Sequence, residues 1–180
     1  MFSASPRSGI EIRLFEERHA DTVFERVDQE REHLRPWFPW VDATQQVDDT
    51  LQFIKGARER FASKGEIASG IWCEGIFCGS IGTQKLDRLN RSIEIGYWLA
   101  KDYEGRGIMT DSCRLLVDYL LTEMDLNRVE IRCAVHNVRS NAVPKRLGFT
   151  LDATLREALW LGGHFHDLHI WSLLQREWTK

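Results

Sequence analysis

The sequence predicts an α/β protein of the α+β kind, with a mixed, mostly antiparallel sheet of six to seven strands flanked by about four helices. Segments that alternate apolar and polar side chains interchange with segments in which apolar side chains recur every three or four residues. Two pairs of strand-like segments are joined by short turns, at Glu74-Gly75 and Gly162-Gly163, which favours antiparallel hairpins. No internal repeat or low-complexity linker interrupts the chain, so we expect a single domain over residues 1–180.

The first half of the chain runs from a strand through two helices to three strands. Residues 10–15 (IEIRLF) alternate and predict the first strand, and the polar segment 19–34 with its apolar anchors predicts a helix. Pro36 and Pro39 end that helix, and a second one is predicted over residues 47–63. The strand-like segments that follow are 66–73, 76–86 and 92–100.

The second half begins with a glycine-containing turn, YEGRGIMTD (103–111), directly before an amphipathic helix. The apolar side chains of this helix fall on one face; they are Met109, Cys113, Leu116, Leu120 and Met124. Residues 128–135 predict a strand, and residues 140–149 predict a short helix that Gly148 ends. The segments TLREALWL and HDLHIWSLL predict a closing hairpin.

The composition excludes several classes of function. The net charge of -3 and the pI near 6.1 predict neither a nucleic-acid-binding surface nor a polybasic membrane surface. No apolar run approaches the roughly 20 residues that span a bilayer, and the start MFSASPRSG lacks the apolar core of a signal peptide. We therefore expect a cytoplasmic protein. Its four cysteines form no C-x-x-C pair, so buried free thiols are predicted rather than a zinc site.

The glycine turn is suited to bind an anion. The first turn of a helix leaves N–H groups unpaired, and the helix dipole adds partial positive charge there. Gly105 and Gly107 allow these amides to approach a phosphate closely, and Arg106 adds charge. The P-loop and the dinucleotide-binding patterns are both absent. On this turn alone, a simple connection between strand and helix is an equal alternative.

Several motifs in the same order resemble the GCN5-related N-acetyltransferase (GNAT) family. They are EIGYWLAKDYEGRGIMTDSCRLL and VEIRCAVHNVRSNAVPKRLGF. LRPWFPWVD and LREALWLGGHFHDLHIWSLL look like the ribosomal-protein N-terminal acetyltransferase branch of that family, the RimJ/RimL type. The resemblance covers about residues 10–178. It implies the GNAT fold, with the glycine turn cradling the pyrophosphate of acetyl-CoA.

The family's signature for this cofactor, Gln/Arg-x-x-Gly-x-Gly/Ala, maps onto residues 104–109. Gly107 matches it, whereas Glu104 and Met109 depart from it. The resemblance implies a set of cofactor-binding residues: Trp98, Leu99, Gly105, Arg106, Gly107, Ile108, Met109, Thr110, Asn137, Ser140, Asn141 and Lys145. Lys145 and Arg146 either lie near the adenosine 3′-phosphate or form a solvated helix face.

The resemblance also implies direct attack of an amine on the thioester in a ternary complex. Such a reaction requires a base for the amine and a hydrogen-bond donor for the leaving thiolate. Ser140 is the candidate donor, although Ser140 or Asn137 also suits the N-cap of the helix that follows. Glu157 and Glu94 are the candidate bases, with Glu157 preferred. The alternatives are structural ion pairs for either carboxylate and a water chain that carries the proton to solvent.

Aromatic side chains are the candidates for acceptor binding. Trp37 and Trp40 flank the two prolines and either line an acceptor groove or pack the helices onto the sheet. The full acceptor set is Trp37, Trp40, Glu94, Tyr97 and Trp160. The H-x-H-x-x-H segment containing His164 and His166 lacks ligand spacing, so no metal is predicted.

The resemblance thus implies an acetyl-CoA-dependent N-acetyltransferase whose acceptor is the N-terminal α-amine of a protein such as a ribosomal protein. Two alternatives stay open at this point. One is a small-amine or antibiotic N-acetyltransferase of the same fold, and the other is a CoA-binding module without enzymatic activity. The aromatic-rich C-terminal hairpin is also suited to pair across a two-fold axis in a homodimer.

Overall fold

The computed structural model describes residues 3–178, which form eight strands and six α-helices. The strands are β1 (Ser3–Arg7), β2 (Ile10–Leu14), β3 (Ala68–Cys73), β4 (Ile76–Asp87), β5 (Ser92–Leu99), β6 (Arg128–Ala134), β7 (Thr150–Leu161) and β8 (His164–Leu174). The helices are α1 (Ala20–Gln29), α2 (Arg31–Leu34), α3 (Trp40–Ala43), α4 (Val47–Lys64), α5 (Ile108–Thr122) and α6 (Val138–Arg146).

All eight strands belong to one sheet, in the order β1-β2-β3-β4-β5-β6-β8-β7. Within residues 3–178, β5 and β6 form the single parallel pair, and every other neighbouring pair is antiparallel. Their pairing covers residues 92–95 and 128–131 and then stops, although β5 continues to Leu99 and β6 to Ala134. Because parallel strands end at the same edge, their unpaired ends open a gap in the middle of the sheet.

The alternation along β5 separates two apolar clusters, one on each face of the sheet. Ile93 and Ile95 are buried in the cluster that contains the apolar face of α5. Trp98 belongs to the other cluster, where it packs edge-on against Phe77 at 5.8 Å between ring centroids, together with side chains of α1 and α4. Burial on both faces holds β5 firmly in place, and β5 is one wall of the gap.

The counts of strands and helices were wrong in detail, while the fold class and both hairpins are confirmed. The additional strand is β1, whose sequence SASPR lacks an apolar alternation and whose side chains are mostly exposed. The segment 19–34 forms two helices, because the backbone of Glu30 leaves the helical conformation (φ -100°, ψ 9°). The Pro36–Pro39 segment leads into α3, a further short helix. Backbone pairing and proline geometry decide these elements, and neither leaves a periodic pattern.

The described residues can be compared with the expectations for membrane spans and for cysteines. No helix in residues 3–178 has the length and apolar character needed to cross a membrane. All four cysteines are free thiols; three are buried, and Cys73 is partly exposed.

Candidate active site

A cavity of about 380 Å³ lies where β5 and β6 separate. The diverging strand ends, the start of α6, the loop between α2 and α3, and the closing hairpin all contribute to its wall. Its lining includes the side chains Trp37, Glu94, Tyr97, Cys133, Asn137 and Ser140. This cavity, called the cleft below, thus brings together residues from both halves of the sequence.

The glycine turn lies at the N-terminus of α5. Gly105 and Gly107 have φ values of +72° and +77°, a left-handed conformation that glycine adopts without strain. Within residues 3–178, the N–H groups of Gly107, Ile108 and Met109 have no hydrogen-bond acceptor. A Cβ placed at Gly105 would meet no atom within 4 Å, so the turn has open space beside it. The geometry fits a diphosphate held by backbone amides.

The side chains of the turn do not occupy that space. Met109 is buried in the cluster around α5, which leaves only its amide available to a phosphate. The Glu104 carboxylate points to Arg139 of α6, with which it forms an ion pair, and it lies 3.4 Å from His33 Nε2. The guanidinium of Arg106 lies over the ring of Tyr103. Glu104 therefore links the turn to α2 and α6, so the departure at this position has a structural role.

Asn137, and not Ser140, caps α6. The Asn137 side-chain oxygen accepts a hydrogen bond of 3.1 Å from the Ser140 N–H. The Asn137 side-chain NH₂ group has no acceptor within residues 3–178, so it is available to a ligand in the cleft. Of the two residues predicted as possible N-caps, Asn137 is therefore the N-cap, and the Ser140 hydroxyl does not cap the helix.

The Ser140 hydroxyl lies between two neutral groups from the diverging strands. It is 3.1 Å from Cys133 Sγ and 3.4 Å from the Tyr97 oxygen, while the Tyr97 hydroxyl donates to the Ser140 carbonyl at 2.9 Å. Burial raises the pKa of Cys133 to about 11 and raises the pKa of Tyr97 well above its usual value. Both groups are therefore uncharged near neutral pH. The hydroxyl faces the cleft without a competing charge from either neighbour.

Asn141 lies one residue further and is buried inside the protein. Its NH₂ group donates to the carbonyls of Ala134 and Asn137, and its oxygen accepts from Trp171 Nε1 at 2.8 Å. His169 Nδ1 lies 2.9 Å from the same oxygen. These bonds join α6 to β6 and β8. The Asn141 side chain thus fixes the helix that presents Ser140. The cofactor contact of Asn141 stays a prediction.

The two candidate bases have different surroundings. Glu94 is buried in the cleft, where its carboxylate meets Lys85 Nζ at 2.8 Å, Arg132 Nε at 3.1 Å and the Gln84 amide. Glu157 is exposed on β7, and its carboxylate has no hydrogen-bond or ion-pair partner within residues 3–178.

The backbone at Glu157 is strained. Its φ is +50°, and it lies in a bulge between Leu155 and Leu159, where the register with β8 shifts. Its N–H donates to the Asp167 carboxylate at 2.9 Å. The next residue, Ala158, lines the cleft, so the bulge lies at the cleft rim. Strained residues of this kind cluster at functional sites.

The three tryptophans predicted to bind the acceptor have different surroundings. Trp37 lines the cavity and packs against His136, with 5.2 Å between ring centroids. Trp40 instead packs on Phe38 and on Trp98. Trp160 is 57% exposed at the far end of the closing hairpin. Of these tryptophans, Trp37 is a cavity-lining side chain, and the packing alternative describes Trp40.

Two histidines of the closing hairpin pack against each other and against His136, with tilted ring planes. His164 and His166 have centroids 4.0 Å apart, and His136 lies 4.4 Å from His166. In residues 3–178, no group of three or more His, Cys, Asp or Glu side chains is arranged to hold a metal ion. Lys145 is exposed beside the ring of Trp171, and Arg146 donates to Thr110 Oγ1 at 3.1 Å, next to the glycine turn.

Comparison with known proteins identifies the family. A family model described as an acetyltransferase (GNAT) domain matches residues 10–150. The chain therefore belongs to the GNAT family of acetyltransferases.

The names of two relatives specify a class of acetyltransferase within this family. The chain is 39% identical over 179 residues to YdaF of Bacillus subtilis, whose name places it with ribosomal N-acetyltransferases, covering 99% of this chain and 98% of the relative. It is 26% identical to the ribosomal-protein-serine acetyltransferase of Escherichia coli, over 91% of each chain.

A solved structure has the same architecture. RimL, the ribosomal L7/L12 α-N-protein acetyltransferase, was solved with coenzyme A in a disulfide to a cysteine; its TM-score is 0.93 at 25% identity, over 96% of this chain and 98% of that one. The protein is an N-acetyltransferase that uses acetyl-CoA. The unpaired amides, the glycine turn and the cleft fit this cofactor.

Several residues of the site were not predicted from the sequence. Cys133 was expected only as a buried thiol, and the sequence gives no sign that it meets Ser140. Lys85 and Arg132 hold Glu94, and Arg139 holds Glu104. Each of these contacts joins separate elements of the chain, so no local sequence pattern predicts it.

Proposed function

We propose that this protein acetylates the N-terminal α-amine of a protein, such as a ribosomal protein, in the cytoplasm. The observation that carries the proposal is the extent of similarity to ribosomal-protein acetyltransferases, which reaches 91% of both chains for the Escherichia coli enzyme. The similarity is therefore not confined to the cofactor-binding half. The acceptor is taken to be a peptide rather than a nucleic acid, in keeping with the net charge of -3.

In the proposed reaction, cofactor and acceptor are bound together and the amine attacks the carbonyl carbon directly. Acetyl-CoA supplies the activated thioester. The amides at the start of α5 hold its pyrophosphate, and the Asn137 side chain bonds its pantetheine arm. Ser140 donates a hydrogen bond to the sulfur that leaves, supported by the 3.1 Å and 3.4 Å contacts that fix its hydroxyl between Cys133 and Tyr97.

Glu157 is proposed to be the base that takes the proton from the amine, either directly or through a water molecule. Its free carboxylate and its strained bulge at the cleft rim support this role. Glu94 is not proposed as the base, because its two oxygens are already engaged by three neighbours. Its place in the lining of the cleft supports a role in binding the acceptor.

The test is release of free CoA thiol from acetyl-CoA with a panel of acceptors. The panel contains peptides with Ser, Ala, Thr or Met at the N-terminus, together with polyamines, amino acids and aminoglycosides. We expect turnover with a subset of the peptides, and mass spectrometry should find the acetyl group on the α-amine. Turnover confined to the small amines would overturn the proposed acceptor and favour a small-amine or antibiotic N-acetyltransferase.

Self-association through the closing hairpin is part of the proposal. The strand β7 lies at the edge of the sheet, and Trp160 and Phe165 pack edge-on while remaining 57% and 58% exposed. An exposed aromatic pair at the edge of a sheet, here Trp160 on β7 and Phe165 on the neighbouring β8, favours association with a second copy. Light scattering should give the mass of a dimer, and a single monomer peak would exclude it.

A further inference from the structure

The glycine turn (residues 103–111) is held by a residue that lies outside the matched family domain. Arg7 ends β1, whereas the GNAT domain match begins at residue 10. One nitrogen of its guanidinium, Nη2, donates to the carbonyl of Arg106 at 2.7 Å. The other, Nη1, lies 2.9 Å from the Asp111 carboxylate in the first turn of α5. Arg7 therefore contacts both the glycine turn and the helix that follows it.

The first contact fixes the direction of a backbone amide. In a trans peptide, the carbonyl and the following N–H point to opposite sides, and residues 3–178 contain no cis bond. Because the Arg106 carbonyl points to Arg7, the Gly107 N–H points away from it. That N–H is one of the unpaired donors at the start of α5.

The second contact removes a conflict of charge. Asp111 suits the N-terminus of a helix, but its negative charge opposes the binding of a phosphate at the same place. The Arg7 guanidinium lies against this carboxylate and offsets it. The Arg7 side chain is 47% exposed, so it also adds positive charge at the surface of the turn.

The N-terminal hairpin keeps Arg7 in position. Arg7 pairs with Ile10 across the turn, and Ser5 Oγ lies within hydrogen-bond distance of the carbonyls of both residues. A Cβ added at Gly107 would come within 3.6 Å of Arg7 Nη1, which shows how closely the guanidinium lies to the turn.

We propose that Arg7 is a positioning residue for the cofactor, which orients the pyrophosphate-binding amides and neutralises Asp111. The inference rests on acetyl-CoA as the cofactor and is independent of the acceptor. It assigns to the N-terminal hairpin a part in cofactor binding.

The test is calorimetric binding of CoA to Arg7→Gln, with Arg18→Gln as the control. Arg18 is also an exposed arginine in an ion pair, with Glu16 at 3.1 Å, so the control removes an equivalent charge. We expect Arg7→Gln to raise the Kd of CoA about tenfold, as for the loss of a charge-assisted hydrogen bond. Affinities within a factor of about two of each other for the two variants would overturn the proposal.

Dephospho-CoA, which keeps the pyrophosphate but lacks the 3′-phosphate, locates the effect. An equal loss of affinity for both ligands supports a role at the pyrophosphate turn. A loss for CoA with unchanged affinity for dephospho-CoA would overturn it, because Arg7 would then act on the 3′-phosphate.

Asp111→Asn keeps the proposal testable if Arg7→Gln fails to fold. This variant retains Arg7 and leaves its charge unopposed, so the Kd of CoA should fall about threefold or more. An unchanged or higher Kd would contradict the proposed neutralisation. The melting temperature of each unliganded variant controls for a general loss of stability.

Discussion

The two ends of the cleft are built differently. At the proposed cofactor end, the available donors are backbone amides of the glycine turn and of the start of α5, supported by the buried sides of β5, α5 and α6. At the proposed acceptor end, the wall consists of side chains on the loop between α2 and α3, such as Trp37, and on the closing hairpin, such as Leu159 and Leu168. The first end is fixed by backbone conformation, whereas the second depends on which side chains are present. Changes at the two ends should therefore separate cofactor binding from acceptor binding.

The largest effect is expected at the backbone of the cofactor end. Gly107→Ala places a Cβ on a residue with φ +77°, which costs about 1 kcal/mol or more and would displace the amides proposed to bind phosphate. We expect the Kd of CoA, measured by calorimetry, to rise about thirtyfold or more.

Gly75→Ala is the matched control for this change. Gly75 has φ +80° in the turn between β3 and β4, so the substitution carries the same strain away from the cleft. It should lower the melting temperature without altering CoA affinity. Equal CoA affinity in both variants would contradict the role of the Gly107 backbone.

Ser140→Ala should act on the chemical step at the cofactor end. Removal of the hydroxyl leaves the departing sulfur without its donor, and we expect turnover to fall at least about tenfold with little change in the Kd of acetyl-CoA. Steady-state kinetics and calorimetry measure the two quantities. Since Asn137 caps α6, loss of the helix cap does not complicate the result. Near-normal turnover would remove Ser140 from the mechanism.

Glu157→Gln tests the proton acceptor at the rim of the acceptor end. The amide cannot take a proton from the amine, so the acid limb of the pH–rate profile should disappear and turnover should fall about tenfold. Glu177→Gln, which changes a carboxylate in the 3₁₀ turn Gln175–Glu177 that follows β8, serves as a control for charge. A retained acid limb in Glu157→Gln would exclude Glu157 as the base.

Trp37→Ala should have the smallest effect, confined to the acceptor. Its ring lines the cavity and packs on His136, so truncation should raise the apparent KM for the acceptor about fivefold. The Kd of acetyl-CoA should stay unchanged. Trp40→Ala, which removes a ring packed on Phe38 and Trp98, should instead lower the melting temperature. A rise in the Kd of acetyl-CoA for Trp37→Ala would contradict the claim that the two ends bind cofactor and acceptor separately.

The difference between the two ends of the cleft also explains which features could be predicted from the sequence. The strand β5, the glycine turn and α5 are adjacent in the chain, and their periodicity and glycines are visible directly. The fold class and both hairpins were predicted for the same reason. The strand β1 was missed, because its side chains are mostly exposed and its pairing with β2 leaves no apolar pattern.

The sequence by itself determined the order of the elements from β2 onward, apart from the division of the first helix and the short α3, and it predicted anion binding at residues 103–111. Both follow from local backbone preferences. Only the tertiary structure decided that Ser140 meets Cys133 and Tyr97, that Glu94 is held by Lys85 and Arg132, and that Arg7 reaches the cofactor turn. These contacts depend on the order of strands in the sheet and on the point where β5 and β6 part. Strand order and pairing register arise from packing between distant segments, and no local pattern encodes them.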